Sequence, residues 1–512
     1  MESYIMTCDA GTTGVKCSAF SRSGKALFER TETYPTLYPA PGWAQQDPDT
    51  VLSAAVKGIR SALENLPAAA CEALVFSGTM NGCIPLDGEG RPLGPNIIHS
   101  DLRAEKQVEQ ICAAIPPQQY YLRTGVRADV HSGLPKYMWL RENAPDVYRN
   151  ARNFVNIKDY LYMRMTGLPA GTDRSDASLC ACLDIHAGDW DRDLLRGCGV
   201  DPDKMPPLRL SADVSGRLSD AAAAQTGLPA GLPVAAGAGD GACAAHGARL
   251  HASGESYMNI GSSAWVSALA DEPCRDPEMR LFSYFDADEK RYNICGTVQS
   301  AAAAFDWAAR NLLGACDASG KTDVNALEKT AESVPPGSEG VMFLPTLAGE
   351  RTPWWTAKVS GTLMGFTLYH ERRHAVRAVY EGVMQALNLC GDILRENGLP
   401  QRDLTLIGGG AQSELWGQMA ADMFGVPVRI HASPRSATSL GAALIAGTGI
   451  GWYRDYEEAS RYILRKKEYI PDPGRHALYR KHLTVYRRLY PDMQKAYEAL
   501  YDFTQEEKQN EQ

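Results

Sequence analysis

Three stretches of this chain combine carboxylates or hydroxyls with glycine in ways that suit phosphate chemistry. The first is Asp9-Ala-Gly-Thr-Thr-Gly14. A carboxylate, two hydroxyls and glycine amides that approach a ligand closely could hold phosphate and a hydrated divalent cation. Mg²⁺ in particular favours one or two carboxylates plus phosphate oxygens. The same residues also describe a tight turn whose Asp and Thr bond their own backbone. The second stretch, Val-Ala-Ala-Gly-Ala-Gly239, delivers Asp240 with glycine on both sides. Phosphoryl transfer to an alcohol needs a carboxylate within hydrogen-bond reach of the hydroxyl, so Asp240 is a candidate general base; a helix N-cap is the other reading. The third, Gly408-Gly-Gly-Ala-Gln-Ser413, follows the apolar run Leu404-Thr-Leu-Ile407. Backbone amides and a helix N-terminus can face a nucleotide there.

These stretches need elements to hold them. Tyr4–Met6 and Val15–Phe20 flank the first and predict a hairpin. Met258-Asn-Ile-Gly-Ser-Ser-Ala264, followed by Val266, Ala268 and Ala270, repeats that pattern, and Gly11 and Gly261 stand 250 residues apart. An internal duplication is the economical explanation. Between them the sequence predicts a helix near 50–66, a buried strand at Ala73–Phe76 and a hairpin around Ile84–Gly90. Ile97-Ile98 runs into the polar cluster His99-Ser-Asp-Leu-Arg103, a helix is expected over Leu134–Asn143, and Thr172–Ser178 reads as a polar loop. A small-residue helix starts at Ala242. Apolar residues at Val376, Val379, Tyr380, Val383, Met384 and Leu387 carry helical spacing closed by Gly398 and Pro400. Leu415, Met419 and Met423 mark one helix face, and the last dozen residues read as a frayed polar tail. Strands alternating with helices argue an α/β fold.

Composition narrows the function. The 512 residues predict two or more domains. A net charge of −9 without a long basic run argues against nucleic acid. No apolar run reaches the ~18 residues of a membrane helix, and no basic region followed by an apolar one opens the chain as in a secretory signal. Thirteen scattered cysteines suit reduced thiols, and Cys180-Ala-Cys182 lacks a second pair to complete a zinc site. The expectation is a soluble cytoplasmic protein acting on small molecules. The glycine triplet lacks the G-x-x-x-x-G-K-[ST] pattern, and no G-x-G-x-x-G follows the first strand.

Taken together, Asp9-Ala-Gly-Thr-Thr13, Gly-Trp-Ala-Gln-Gln-Asp-Pro48, the Asp240 segment, Ile-Gly-Ser-Ser263, Leu-Ala-Gly-Glu-Arg-Thr-Pro353, Glu381-Gly382, Gly-Gly-Gly-Ala-Gln-Ser413 and Leu-Gly-Ala-Ala443 resemble the FGGY carbohydrate kinase family, in that order, from about residue 4 to about 450. The Phe343–Pro353 and Thr172–Ser178 segments are closest in flavour to its xylulokinase-like branch. The resemblance implies two duplicated ribonuclease-H-like domains of the actin, hexokinase and heat-shock ATPase type, expected at 1–250 and 251–512, flanking a cleft. It implies ATP and Mg²⁺, with Asp240 as catalytic base and Asp9 holding the metal's hydration shell. Gly11, Thr12, Thr13 and Lys16 would serve the phosphates, with Gly261, Ser262 and Ser263 as the second phosphate hairpin and Gly408, Gly409 and Ser413 at the nucleoside.

Sugar recognition is expected from Met80, Asn81, His99, Asp101, Arg103 and Asp240. Here the chain departs from the family. Thr79-Met-Asn-Gly82 stands where relatives read Gln-Met-His-Gly. His99-Ser-Asp-Leu-Arg103 replaces Trp-Asn-Asp-x-Arg, and Gly241 stands where Gln or Asn is common. Glu350-Arg351 reads as an ion pair fixing a loop, and His246 as a packed histidine. The expected activity is ATP-dependent phosphorylation of a primary hydroxyl on a ketopentose or ketohexose such as xylulose. Glycerol, gluconate or erythritol are alternative substrates, a homodimer stays open, and a degenerate sugar or ATP sensor is the reading from another class.

Overall fold

The computed structural model describes residues 2–315 and 322–510. It divides into two compact units: 1–253 with 269–294 and 436–464, and 254–268 with 295–435 and 465–512. The expected boundary at 250 falls beside the first division, while two segments from the C-terminal half pack within the first unit.

In the first unit, β1 (Tyr4–Ala10) and β2 (Gly14–Ser21) form the expected antiparallel hairpin. β3 (Ala26–Thr33) extends it, and β4 (Cys71–Gly78) lies parallel to β1 on the other side. The short β5 (Gly216–Arg217) closes the sheet beyond β6 (Pro233–Gly239), which runs parallel to β4. β1 carries apolar residues on both faces because both are covered. Tyr4, Met6 and Cys8 pack with Val51, Ala55 and Ile59 of the helix Pro48–Leu63 and with Ile157, Tyr160 and Leu161 of the helix Ile157–Thr166. The opposite face takes the helix Ala437–Gly449, whose Gly447 reaches Ile5.

The second unit repeats the plan. β7 (Ser256–Ile260) and β8 (Ala264–Ala270) form an antiparallel hairpin, and β9 (Leu404–Ile407) lies parallel to β7. β10 (Val428–His431) is parallel to β9, and β11 (Arg465–Tyr469) closes that edge. In both sheets a hairpin strand is followed outward by two parallel strands, so the duplication expected from sequence is present as topology.

Three local expectations change. Ile84–Leu86 is a strand, and the Asp87–Gly90 turn returns the chain antiparallel with Pro92 opposite Leu86 as expected, but the strand's ladder partner is Asn153–Val155. Thr172–Ser178 is a short strand and a helical turn, largely buried, because its polar side chains bond one another. The polar tail is helical to Asn510, continuing a helix from Pro473 anchored by buried Tyr479, Leu483, Tyr486, Tyr490 and Tyr497; residues 511–512 lie outside the described residues. The remaining helices fall within a few residues of expectation, at Pro48–Leu63, Gly133–Asn143, Asp240–Gly247, Arg372–Glu396 and Glu414–Phe424.

Candidate active site

Asp240 stands where β6 ends and a helix begins, and two close approaches decide where it points. In the first, the β4–β6 register slips between Ala235 and Ala238. Gly237 sits there at φ +74°, and a Cβ on it would come within 1.9 Å of Phe76 O. Only glycine fits this bulge, which re-aims the strand end. In the second, the helix Asp240–Gly247 packs on Ala437–Gly449 at glycines. A Cβ on Gly247 would meet Ala437 O at 1.9 Å, and one on Gly441 would meet Cys243 O at 1.8 Å. This accounts for the small residues of Leu-Gly-Ala-Ala443.

Asp240 remains partly exposed. Burial, and then the negative charge of Asp9, push its carboxyl up to about 7, with the Gly241 amide opposing. Asp9, also partly exposed, pairs across β1–β2 with Lys16 and across β1–β4 with Ser77. Burial raises its carboxyl while Lys16 and Ser77 pull it back. Two interacting carboxylates thus lie together, and one of them is kept near neutrality in its titration.

The hairpin tip presents Thr12 and Thr13 to solvent. Its carbonyls are taken up from behind: Gln46 Nε2 donates to Thr12 O at 2.8 Å and the Tyr34 hydroxyl to Gly11 O, while the Tyr34 amide reaches Thr13 O at 3.3 Å. The Gly11 amide closes the turn on Gly14 O at 3.0 Å. With the carbonyls committed, the tip offers amides and hydroxyls, a surface matched to an anion. The segment Gly42–Pro48 is therefore a brace. Trp43 stacks under the Arg103 guanidinium at 3.9 Å, and Gln45 accepts from Arg103 at 2.9 Å. Asp47 caps the helix that Pro48 opens.

The residues expected to recognise sugar gather in the same unit. Met80 lies against Gly239, where a Cβ would meet its side chain at 2.6 Å. Asn81 adopts φ +68° and is half-buried, as is His99. Asp101 is buried and accepts from the Ala44 amide at 2.6 Å and from Arg103 Nε and Nη2, each at 2.8 Å. Sequence reasoning missed Lys136, whose buried ammonium donates to Asn81 O and to His131 O at 2.8 Å and is pushed down to about 8 by burial. Its position on a predicted helix carried no sign that it faces Asn81. His246 is a packed histidine as expected, 2.9 Å from Asp286 and against the Tyr456 ring, tilted by 39° with centroids 4.3 Å apart.

In the second unit a cavity of about 390 Å³ opens behind Gly261 and Ser262, lined also by Gly409, Gly410, Ser413, Glu328 and Arg435. Gly408 holds φ +85°, and a Cβ would meet Asn259 Oδ1 at 2.4 Å. Gly409 differs: a Cβ there would meet only Arg435, at 4.0 Å, so its backbone faces open space. Ser413 caps the helix Glu414–Phe424 and donates to Glu328. Glu328 and Asn325 come from a separate helix, Val324–Glu332, with no motif to announce them. Ser262 and Ser263 are exposed, and the Gly261 and Ser262 carbonyls accept from Ala301, Ala302 and Ala303 at 2.8–3.1 Å. Glu381 is structural, accepting from Gly337, Ser338, Arg377 and Tyr479. The expected Glu350–Arg351 ion pair is replaced by amide contacts: Glu350 accepts from the Gln299 and Arg351 amides at 2.7 and 2.9 Å, and burial pushes its carboxyl up to about 8.

Two sheets with the same strand plan, each opening on a hydroxyl-tipped hairpin, define the ribonuclease-H-like class that contains actin and many phosphotransferases. Comparison with known proteins narrows that class. Residues 4–247 match the FGGY family of carbohydrate kinases, N-terminal domain, and 256–450 match its C-terminal domain. The xylulose kinase of Escherichia coli (strain K12) is 31% identical over 95% of this chain and 98% of that protein. The gluconokinase of Bacillus subtilis (strain 168) is 28% identical over 98% of each. The crystal structure of ligand-bound xylulose kinase from Lactobacillus acidophilus superposes with a TM-score of 0.91 at 26% identity, covering 97% of this chain and all of that one. The chain belongs to the FGGY family of carbohydrate kinases, enzymes that phosphorylate sugars with ATP. Among the described residues, no helix is long and apolar enough to cross a membrane, and every cysteine is a free thiol.

Proposed function

We propose that this enzyme transfers the γ-phosphoryl group of ATP to a primary hydroxyl of a ketopentose or ketohexose, xylulose being the leading substrate. The observation that carries the mechanism is the Asp240 carboxylate, partly exposed at the end of β6 with its carboxyl near 7. A base poised there can take the hydroxyl proton at neutral pH. Asp9 and the Thr12–Thr13 tip supply the phosphate side, with Gly11 and Lys16. Gly261, Ser262 and Ser263 form the second phosphate hairpin, and the cavity at Gly408, Gly409 and Ser413 takes the nucleoside. Met80, Asn81 and His99 contact the sugar, and Asp101 and Arg103 shape that wall through the Trp43 brace.

Among the described residues no three His, Cys, Asp or Glu side chains cluster as a metal cage. Asp9, a partly exposed carboxylate near the end of β1, fits Mg²⁺, which brings its own water and phosphate ligands and needs only one or two carboxylates. When bound, it would neutralise charge on the phosphates. Cysteines that are free thiols among the described residues support a cytoplasmic setting.

A sugar acid is the second reading, favoured by the full-length match to a gluconokinase and by the buried Lys136 behind Asn81. A coupled ADP-release screen across pentuloses, hexuloses, sugar acids and polyols, with the product's phosphate placed by NMR, separates the two. Highest kcat/KM on a ketose supports the first, and highest on gluconate the second. ADP formation independent of any sugar would refute both.

A further inference from the structure

Thr172–Ser178 is a polar segment whose role the kinase reading leaves open, and its side chains run toward Asp240. Ser175 is fully buried, and its Oγ accepts from the Gly239 amide at 3.0 Å, one residue before Asp240. The same hydroxyl donates to Asp173 Oδ2, which also accepts from the Ser175 amide and from Ser211 Oγ, each at 3.0 Å. Asp173 Oδ1 faces the buried Lys158 ammonium at 3.1 Å. Ser211 O in turn takes the Gly237 amide at 3.0 Å, at the point where β6 leaves its register with β4. The Gly237 amide at the bulge and the Gly239 amide just beyond it thus both end on one Ser–Asp–Ser network tied to a buried ammonium. Gly239 has no side chain with which to cap the helix that starts at Asp240.

We propose that Ser175, held by Asp173 and Ser211, is a positioning residue that sets the placement of the Asp240 carboxylate. The inference rests on Asp240 being the base. Without the Ser175 hydroxyl the buried Gly239 amide loses the acceptor it has there, and the strand end shifts to relieve that loss. A carboxylate misplaced by a fraction of an ångström still lets ATP and sugar bind, but it loses alignment with the hydroxyl proton.

The test is steady-state kinetics of S175A and S175T on the best sugar, with thermal unfolding alongside. S175A should lose about 10- to 100-fold in kcat with both KM values unchanged, and S175T, which restores the hydroxyl, should recover most of it. S211A, which breaks the next link, should show a smaller loss in the same parameter and serves if S175A does not fold. Wild-type kcat in S175A or S211A would overturn the proposal. So would equal loss in S175A and S175T, or a loss carried by KM. D240N distinguishes the two levels: if it kept near-normal turnover the base assignment would fall, whereas an inactive D240N with a normal S175A removes only the positioning role.

Discussion

Replacing Asp240 by Asn should stabilise the ligand-free enzyme, and most at high pH. Burial and the neighbouring Asp9 charge hold the Asp240 carboxyl at about 7, against an ordinary value near 4 in the unfolded chain. The folded state therefore keeps this proton over a pH range in which the unfolded state has lost it. Stability falls as pH rises from about 4 to about 7, and the full penalty applies above that. A displacement of that size corresponds to about 4 kcal/mol as a ceiling. The carboxylate's partial exposure lets water screen part of it, so the expected gain for D240N is about 1–3 kcal/mol at pH 8.5. Denaturant unfolding of both proteins at pH 5 and pH 8.5, without nucleotide or sugar, reads this directly. The gap should shrink by more than half at pH 5. An equal gap at both values, or a D240N less stable than wild type at pH 8.5, would refute the argument that the base is held against its charge.

Other consequences follow from individual contacts. G409V should raise KM for ATP at least tenfold while leaving thermal unfolding unchanged, because its side chain enters open cavity. G408A should instead destabilise the fold by about 1–3 kcal/mol, since it meets Asn259 and Ile260 at a left-handed φ. Q46A, which removes the amide that donates to Thr12 O and Thr36 Oγ1, should raise KM for ATP and cost about 1–2 kcal/mol on unfolding. His246 is pulled down by burial but raised overall by Asp286. Its charged pair is fully stabilising below the unfolded value of about 6.5 and is lost as pH rises through the folded one. Chemical denaturation of H246Q should therefore show a larger loss at pH 5.5 than at pH 9.

Much of this was legible in the sequence because the residue types themselves state the chemistry. A phosphate hairpin needs small hydroxyl residues between β-compatible runs, so Thr12–Thr13 and Ser262–Ser263 stood out and their repeat exposed the duplication. Asp240 was visible through the glycines that the bulge and the helix crossing require. What stayed hidden depends on who packs behind whom. Lys136 and Glu328 sit on helices whose periodicity shows a helix but not the neighbour each reaches. Thr172–Ser178 reads as a polar loop because polarity signals exposure, yet Asp173, Ser175 and Ser211 satisfy one another inside. The C-terminal tyrosines at 479, 486, 490 and 497 carried a helical stripe, and a Gln/Glu/Lys run without Gly or Pro continues it. Polarity alone suggests fraying.

The central claim is that Asp240 is the base of sugar phosphorylation. Its most direct test is turnover of D240N and wild type on the best sugar with saturating Mg-ATP, with nucleotide affinity measured in parallel. The account predicts about 10²- to 10⁴-fold loss of sugar-dependent ADP formation, with ATP binding retained. Near-normal turnover in D240N would contradict it.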